Sequence, residues 1–279
     1  MEAAVPAIDD HSAGWPHRRR AAAASTALHD HRTPIIDTKG TLIMLFEHTV
    51  DIEIDPKRTA LVLADIQNDF LTEGGKYYVL IEELLKRNNV NDNLETLLKT
   101  AKDNNFPVFM SPHYFFPHDH HGYTHLGAME DLALNVGLVE RQSPLNFEGV
   151  PGSGADVPDR FRKYMEDSAT TITSRHVSYA PTNDLVLLLR RRGIEKVIMA
   201  GPAANLCLED HMRNLIQNGF EIIMVRDAVA GAANEEGSGY HAAMINWRFM
   251  ANAVWTTEEV VRRVTAAAAV RPATAAATT

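Results

Sequence analysis

The stretch KVIMAGPAANLCLEDHMRNLIQNGF, residues 196 to 220, decides the fold because it passes from one kind of element to another within a few residues. Lys196 to Ala200 is a short apolar run of buried-strand character, and Gly201-Pro202 breaks it. Leu208, Met212, Leu215 and Ile216 then recur at helical spacing until Asn218-Gly219 closes the helix. Cys207, the single cysteine of the chain, falls in the first turn of that helix. Unpaired backbone N–H groups and the positive end of the helix dipole favour a thiolate there, the nucleophilic form of the side chain. The competing reading is a small buried hydrophobe.

The same alternation extends in both directions. TALVLAD (59 to 65), FPVFMSP (106 to 112), ATTIT (169 to 173), EIIMVRD (221 to 227) and NAVWTT (252 to 257) have strand character. Helical patterns occupy residues 90 to 104, 183 to 192 and 239 to 250. Apolar strands alternating with amphipathic helices predict one α/β domain, a doubly wound, mostly parallel sheet with helices on both faces. In such sheets ligands bind beyond the carboxyl ends of the strands, where Asp65, His113, the segment after Thr173 and Cys207 all fall. Residues 114 to 168 are the least regular part and predict a long excursion over that edge, where selectivity is usually built.

The whole chain narrows the class. Its 279 residues are 45% hydrophobic and 23% charged, which allows a sizeable core. A net charge of -9 argues against a general nucleic-acid surface. One cysteine allows no internal disulfide, so the expected compartment is reducing, the cytoplasm. No apolar run approaches the roughly 20 residues of a membrane span. Residues 1–44 lack periodicity and predict a flexible extension ahead of a domain at 45–264. Arg18, Arg19 and Arg20 raise a transit peptide as the alternative, against which Glu2, Asp9 and Asp10 count. The alanine-rich residues 265–279 predict a frayed tail. Asn205 has the character of a helix cap, Glu209 of a solvated or intersubunit face, and Arg190 to Arg192 of a solvated helix end.

The first strand ends in ADIQNDFL, residues 64 to 71, with Gly74-Gly75 following. Together with the GPAANLC turn, this opening resembles the isochorismatase-like cysteine hydrolases over roughly residues 55 to 260. That family includes nicotinamidases, carbamoyl and ureido amidohydrolases and isochorismatases, and usually carries a catalytic Asp, Lys and Cys. The resemblance implies Cys207 as nucleophile and Asp65 as the acid and base that takes the thiol proton and returns it to a leaving amine. It also implies a cis bond at Pro202-Ala203, with the N–H groups of Ala203 and Cys207 as oxyanion donors.

The lysine is the departure, because none occurs between Lys163 and Lys196. The matching span, Ser174 to Val177, offers Arg175 and His176 as alternative cations. Gln67, His113, Tyr114, Phe116 and Tyr179 are the candidate pocket residues. Phe115 and Trp247 have aromatic-wall or packing readings. His113, His118, Asp119, His120 and His121 are metal-ligand types, but their spacing does not reproduce the family's metal motif, so neither metal nor cofactor is expected. The implied activity is cysteine-dependent hydrolysis of a small amide, carbamoyl or ureido substrate, and homo-oligomers are expected. The alternatives are vinyl ether hydrolysis releasing pyruvate, and a binding or assembly protein of weak activity that keeps the fold.

Overall fold

The computed structural model describes residues 35–36, 42–43, 52–177 and 182–270. The predicted extension and its transit-peptide alternative therefore lie largely outside the described residues, as does Tyr179. The chain divides between Leu45 and Phe46 into two units. In the first, β1 (Ile35–Ile36) pairs antiparallel with β2 (Leu42–Ile43).

The second unit begins with β3 (Thr59–Ala64), α1 (Asn68–Leu71), α2 (Tyr78–Arg87), α3 (Val90–Asp103) and β4 (Val108–Ser111). The excursion follows, with α4 (Asp119–Gly122), α5 (Ala128–Val136) and α6 (Asp159–Met165), and leads into β5 (Thr170–Ile172) and α7 (Leu185–Arg191). Next come β6 (Lys196–Ala200), α8 (Cys207–Gln217), β7 (Glu221–Val225), and the short pair β8 (Ala233–Asn234) and β9 (Gly237–Ser238). The unit ends in α9 (Gly239–Met250), β10 (Ala253–Trp255) and α10 (Thr257–Ala269). Thus α10 carries five residues of the expected tail as helix. Alanine is the strongest helix former, so low complexity did not mean a frayed chain there. Among the described residues no helix is long and apolar enough to cross a membrane.

Six strands form one parallel sheet in the order β10-β7-β6-β3-β4-β5. Alternation along each central strand splits the core in two, because successive side chains point to opposite faces. Leu61, Leu63, Ile198 and Ile223 pack on one face with Ile81, Leu94, Leu97 and Val260 of α2, α3 and α10. Ala60, Val62, Val197 and Ile222 pack on the other with Leu185, Met212 and Trp247 of α7, α8 and α9. Burial on both faces explains why these strands read as unbroken apolar runs.

The strand order positions the site. From β3 the chain winds outward to β4 and β5, then returns across the sheet to β6 and winds the other way. Loops leaving neighbouring β3 and β6 therefore diverge and open a crevice at this switch point. Asp65 follows β3, and the turn leading to Cys207 follows β6.

Candidate functional site

Backbone geometry fixes the floor of the crevice. Asp65 has φ 53, a left-handed conformation that Asp tolerates better than most residues, and its carbonyl accepts the Gln67 N–H at 2.7 Å. Gly201 has φ +117, and a Cβ there would stand 2.1 Å from the Ala64 carbonyl oxygen. Only glycine lets the two chains approach so closely where they leave the sheet. The Pro202-Ala203 peptide bond is cis, at the position the resemblance implied.

Asp65, Cys207 and His113 converge, with one ligand-type atom of each within 4.8 Å of the others. All three side chains are buried. The fourth member is His176, fully buried, whose Nε2 lies 2.7 Å from Asp65 Oδ1. Sequence left Arg175 and His176 open, and the extended backbone separates them. The β4–β5 pairing continues past the strand ends through a parallel bridge between His113 and His176, and the His176 N–H donates to the Pro112 carbonyl at 3.0 Å. Neighbours in extended chain point oppositely, so His176 turns in and Arg175 turns away. Arg175 forms a forked pair with Asp119, donates to the Tyr114 carbonyl at 2.9 Å, and lies 4.1 Å over the Phe116 ring.

A hydrogen-bond chain that sequence reasoning missed lies beneath. His211, one turn after Cys207 on α8, donates from Nδ1 to the Cys207 carbonyl at 2.6 Å, since a carbonyl can only accept. Its Nε2 is 2.8 Å from the Ser111 hydroxyl, which accepts from Asn183 at 2.8 Å. The spacing of four between Cys207 and His211 was the available signal. His176 is stacked on His113 at 4.9 Å and meets His211 edge-on at 4.8 Å.

Burial, then the neighbouring His176, pushes His113 down to about 3, and the same two causes push His211 down to about 4, so both are neutral imidazoles at pH 7. Burial pushes Asp65 up, but the attraction and hydrogen bond of His176 outweigh it and hold the carboxyl below its ordinary value. Cys207 moves the other way: burial first and the Asp65 carboxylate second push the thiol well above its ordinary value of 9.0. The helix-start expectation of a resting thiolate is thereby corrected. An adjacent buried carboxylate outweighs the partial charge of a helix terminus.

A cavity opens from Cys207 between two walls. Phe70, Tyr77 and Phe115 contribute aromatic surface, and Met129, Ala133 and Leu138 come from α5 and its C-terminal turn. Asp69, buried in α1, draws these walls together by accepting from the backbone N–H groups of Lys76 at 3.1 Å and Val139 at 2.6 Å. Of the expected pocket residues, His113 lines the cavity and three do not. Gln67 is spent on backbone, accepting from the His113 N–H and donating to the His113 and Ala155 carbonyls, each at 2.9 Å. Tyr114 lies under Arg141 and Phe116 under Arg175, so alternation leaves Phe115 as the inward ring.

Other expectations also change. The histidines after His113 do not converge on it: His118 lies 3.2 Å from Asp119, and His120 lies 3.7 Å from Glu140. The acid among the suggested metal ligands, Asp119, is held by Arg175. Asp65, His113 and Cys207 are the grouping whose donor atoms could hold an ion among the described residues. Asn205 does not cap α8, whose cap position is Leu206 without a side-chain bond. Glu209 is buried, paired with Arg213 at 2.7 Å and bonded by Asn246 at 2.8 Å, because α9 covers it. Trp247 is core.

A family profile for the isochorismatase domain matches residues 59–259. The uncharacterized isochorismatase family protein YecD of Escherichia coli O157:H7 is 34% identical over 190 residues, covering 66% of this chain and 86% of YecD. Its counterpart YwoC of Bacillus subtilis is 29% identical over 127 residues, 43% of this chain, and the match spans 65% of YwoC. A cysteine hydrolase from Pseudomonas syringae pv. phaseolicola has a similar fold, with TM-score 0.63 and 22% identity over 77% of this chain and 96% of that one. N-carbamoylsarcosine amidase from Thermoplasma acidophilum follows at TM-score 0.51 and 18% identity, over 72% and 97%. At such identities the structural likeness concerns the fold, whereas the profile spans the sheet from β3 into α10 and includes both the Asp65 and the Cys207 segments. The chain belongs to the isochorismatase family.

Proposed function

We propose that the protein hydrolyses the C–N bond of a small amide, carbamoyl or ureido substrate, with Cys207 as nucleophile and Asp65 as general acid and base. The observation that carries this reading is the buried Asp65 carboxylate, bonded to His176 on one oxygen and close enough to the only thiol to raise its pKa. The resting pair is a thiol beside a carboxylate, so proton transfer accompanies attack. Asp65 takes the thiol proton as sulfur bonds to the carbonyl carbon, then gives that proton to the departing nitrogen. Water, deprotonated by the same carboxylate, attacks the thioester and releases the acid with the free thiol. The N–H groups of Ala203 and Cys207 are the proposed donors to the oxyanion. His176 takes the place of the family's lysine and keeps Asp65 ionised and oriented. The amide preference is supported by the likeness to an amidase.

The test is ammonia release from a panel of primary amides, ureas and N-carbamoyl compounds, with pyruvate release from isochorismate run beside it. Turnover of one C–N substrate, abolished in Cys207→Ala, is expected. Turnover unchanged in that variant would refute the covalent route.

A further inference from the structure

We infer that His113 recognises the nitrogen side of the substrate: a ring nitrogen accepts an in-plane N–H of the scissile amide or urea. The site thereby prefers a molecule bearing that N–H over an isostere that offers only the C=O. The inference rests on the hydrolase reading for which bond lies at Cys207, and deepens it by naming the feature of the substrate that is read.

The proposed reaction leaves one substrate group to be matched. The carbonyl oxygen meets the backbone N–H groups of Ala203 and Cys207, and the proton from Asp65 arrives at the nitrogen lone pair, which stands perpendicular to the amide plane as the bond breaks. The N–H bonds lie in that plane and need an acceptor of their own, since burying them unpaired carries a desolvation cost. Much of the cavity wall offers none, because Phe70, Phe115, Met129, Ala133 and Leu138 are apolar. Tyr77 and Glu130 also line it, but His113 is the lining residue that joins Cys207 in the cluster with Asp65, a ring nitrogen lying within 4.8 Å of the sulfur. A carbonyl carbon at attack distance from that sulfur, about 3 to 3.5 Å, puts the attached nitrogen within reach of the ring.

The three clustered histidines differ in what they have left to offer. His176 gives its Nε2 to Asp65, and His211 uses both nitrogens, on the Ser111 hydroxyl and the Cys207 carbonyl. His113 is 5% exposed, and both of its ring nitrogens are buried without a hydrogen-bond partner in the protein. Burial keeps it neutral at pH 7, so one of those nitrogens carries a lone pair that can accept. The ring is also held in place. Gln67 clamps its backbone at 2.9 Å on both N–H and C=O, and the imidazole meets Phe115 at 4.7 Å and stacks on His176 at 4.9 Å. A fixed acceptor discriminates, because a ligand without N–H leaves it unpaired once bound.

The test pairs pentanamide with 2-hexanone, which has CH3 in place of NH2 and keeps the carbonyl and the apolar chain. Dissociation constants are measured by ligand-observed NMR titration on the full chain carrying Cys207→Ala, so that neither turnover nor addition of the thiol to the ketone enters. Pentanamide is expected to bind at least about tenfold more tightly than 2-hexanone. Adding His113→Leu should cut that ratio at least about fivefold, because a merely structural loss weakens both ligands alike, whereas loss of the acceptor weakens the amide alone. His113→Gln, whose side-chain carbonyl can accept, should keep more of the ratio than His113→Leu. A ratio near one with His113 in place, a ratio unmoved in folded His113→Leu, or pentanamide binding weaker than about 30 mM would overturn the proposal. A second measurement does not depend on the His113 variants folding. In nitrogen-15-labelled Cys207→Ala, pentanamide should shift the ring nitrogens of one histidine that stays neutral at about pH 5.5, and 2-hexanone should leave them in place. No shift, or the same shift from both, would also overturn it. Ammonia release from pentanamide by the unmodified protein separates the two readings. Selective binding without ammonia counts against the hydrolase reading for such amides and leaves the His113 contact standing, whereas turnover with equal binding of the two ligands removes the contact and leaves the hydrolase.

Discussion

At the scale of single residues, adjacent positions 175 and 176 have separate tasks. His176 is bonded to Asp65, while Arg175 ties the excursion to the sheet edge through Asp119 and the Tyr114 carbonyl. His176→Ala should lower kcat/KM for the best substrate by at least about 100-fold, whereas Arg175→Ala should lower it less than about tenfold and reduce thermal stability instead. A larger kinetic loss from the arginine variant would reverse the assignment. The resting protonation of Cys207 gives a second expectation. Because burial and Asp65 both push the thiol upward, its alkylation rate should still climb beyond pH 9, and Asp65→Asn should shift the profile to lower pH by removing the negative charge. A plateau below pH 8 in the unmodified protein would show a preformed thiolate.

At the scale of elements, the junctions after β3 and β6 bear most of the geometric demand. Gly201→Ala would set a methyl group 2.1 Å from a backbone oxygen and hold a side-chain residue at φ +117. The expected outcome is a loss of more than about 4 kcal/mol, read by urea unfolding, or no soluble protein at all. The elements themselves were legible, because strands buried on both faces leave apolar runs and helices leave a 3.6-residue rhythm in the chain. Asp65 and Cys207 were legible as well, since each sits where such a pattern breaks at a strand end. The inward choice of His176 over Arg175 was not, since it follows from the bridge to His113, a contact 63 positions away. For the same reason Phe115 replaced Tyr114 and Phe116 at the cavity. Which of three consecutive aromatic or polar residues faces in depends on a pairing register that local composition does not encode.

For the whole molecule, the neutral histidines set a response to acid. His113 and His211 titrate at about 3 and about 4 in the fold against an ordinary 6.5, so below pH 6.5 the unfolded chain binds protons that the folded chain refuses. The sign is therefore destabilising on acidification: stability falls from about pH 6.5 until each histidine protonates within the fold. Each should contribute on the order of 2 kcal/mol of loss between pH 7 and pH 5. Asp65 acts in the same direction at lower pH, because a depressed carboxyl loses its native contribution as it protonates. Urea midpoints at the two pH values test this, and His113→Gln should remove about half of the difference. A midpoint that does not move would contradict the burial of neutral imidazoles.

Gln67 was placed by sequence in the pocket and found instead bonded to His113 on both its N–H and C=O and to the Ala155 carbonyl. One amide side chain thereby bolts the floor of the site to the far end of the excursion. In deuterium-exchange terms, the His113 amide should exchange as slowly as those inside β4 although it lies beyond the strand, and Gln67→Ala should release it without opening the central sheet. The barrier that keeps the floor of the crevice rigid would then be local, and could be lowered while the fold stays whole.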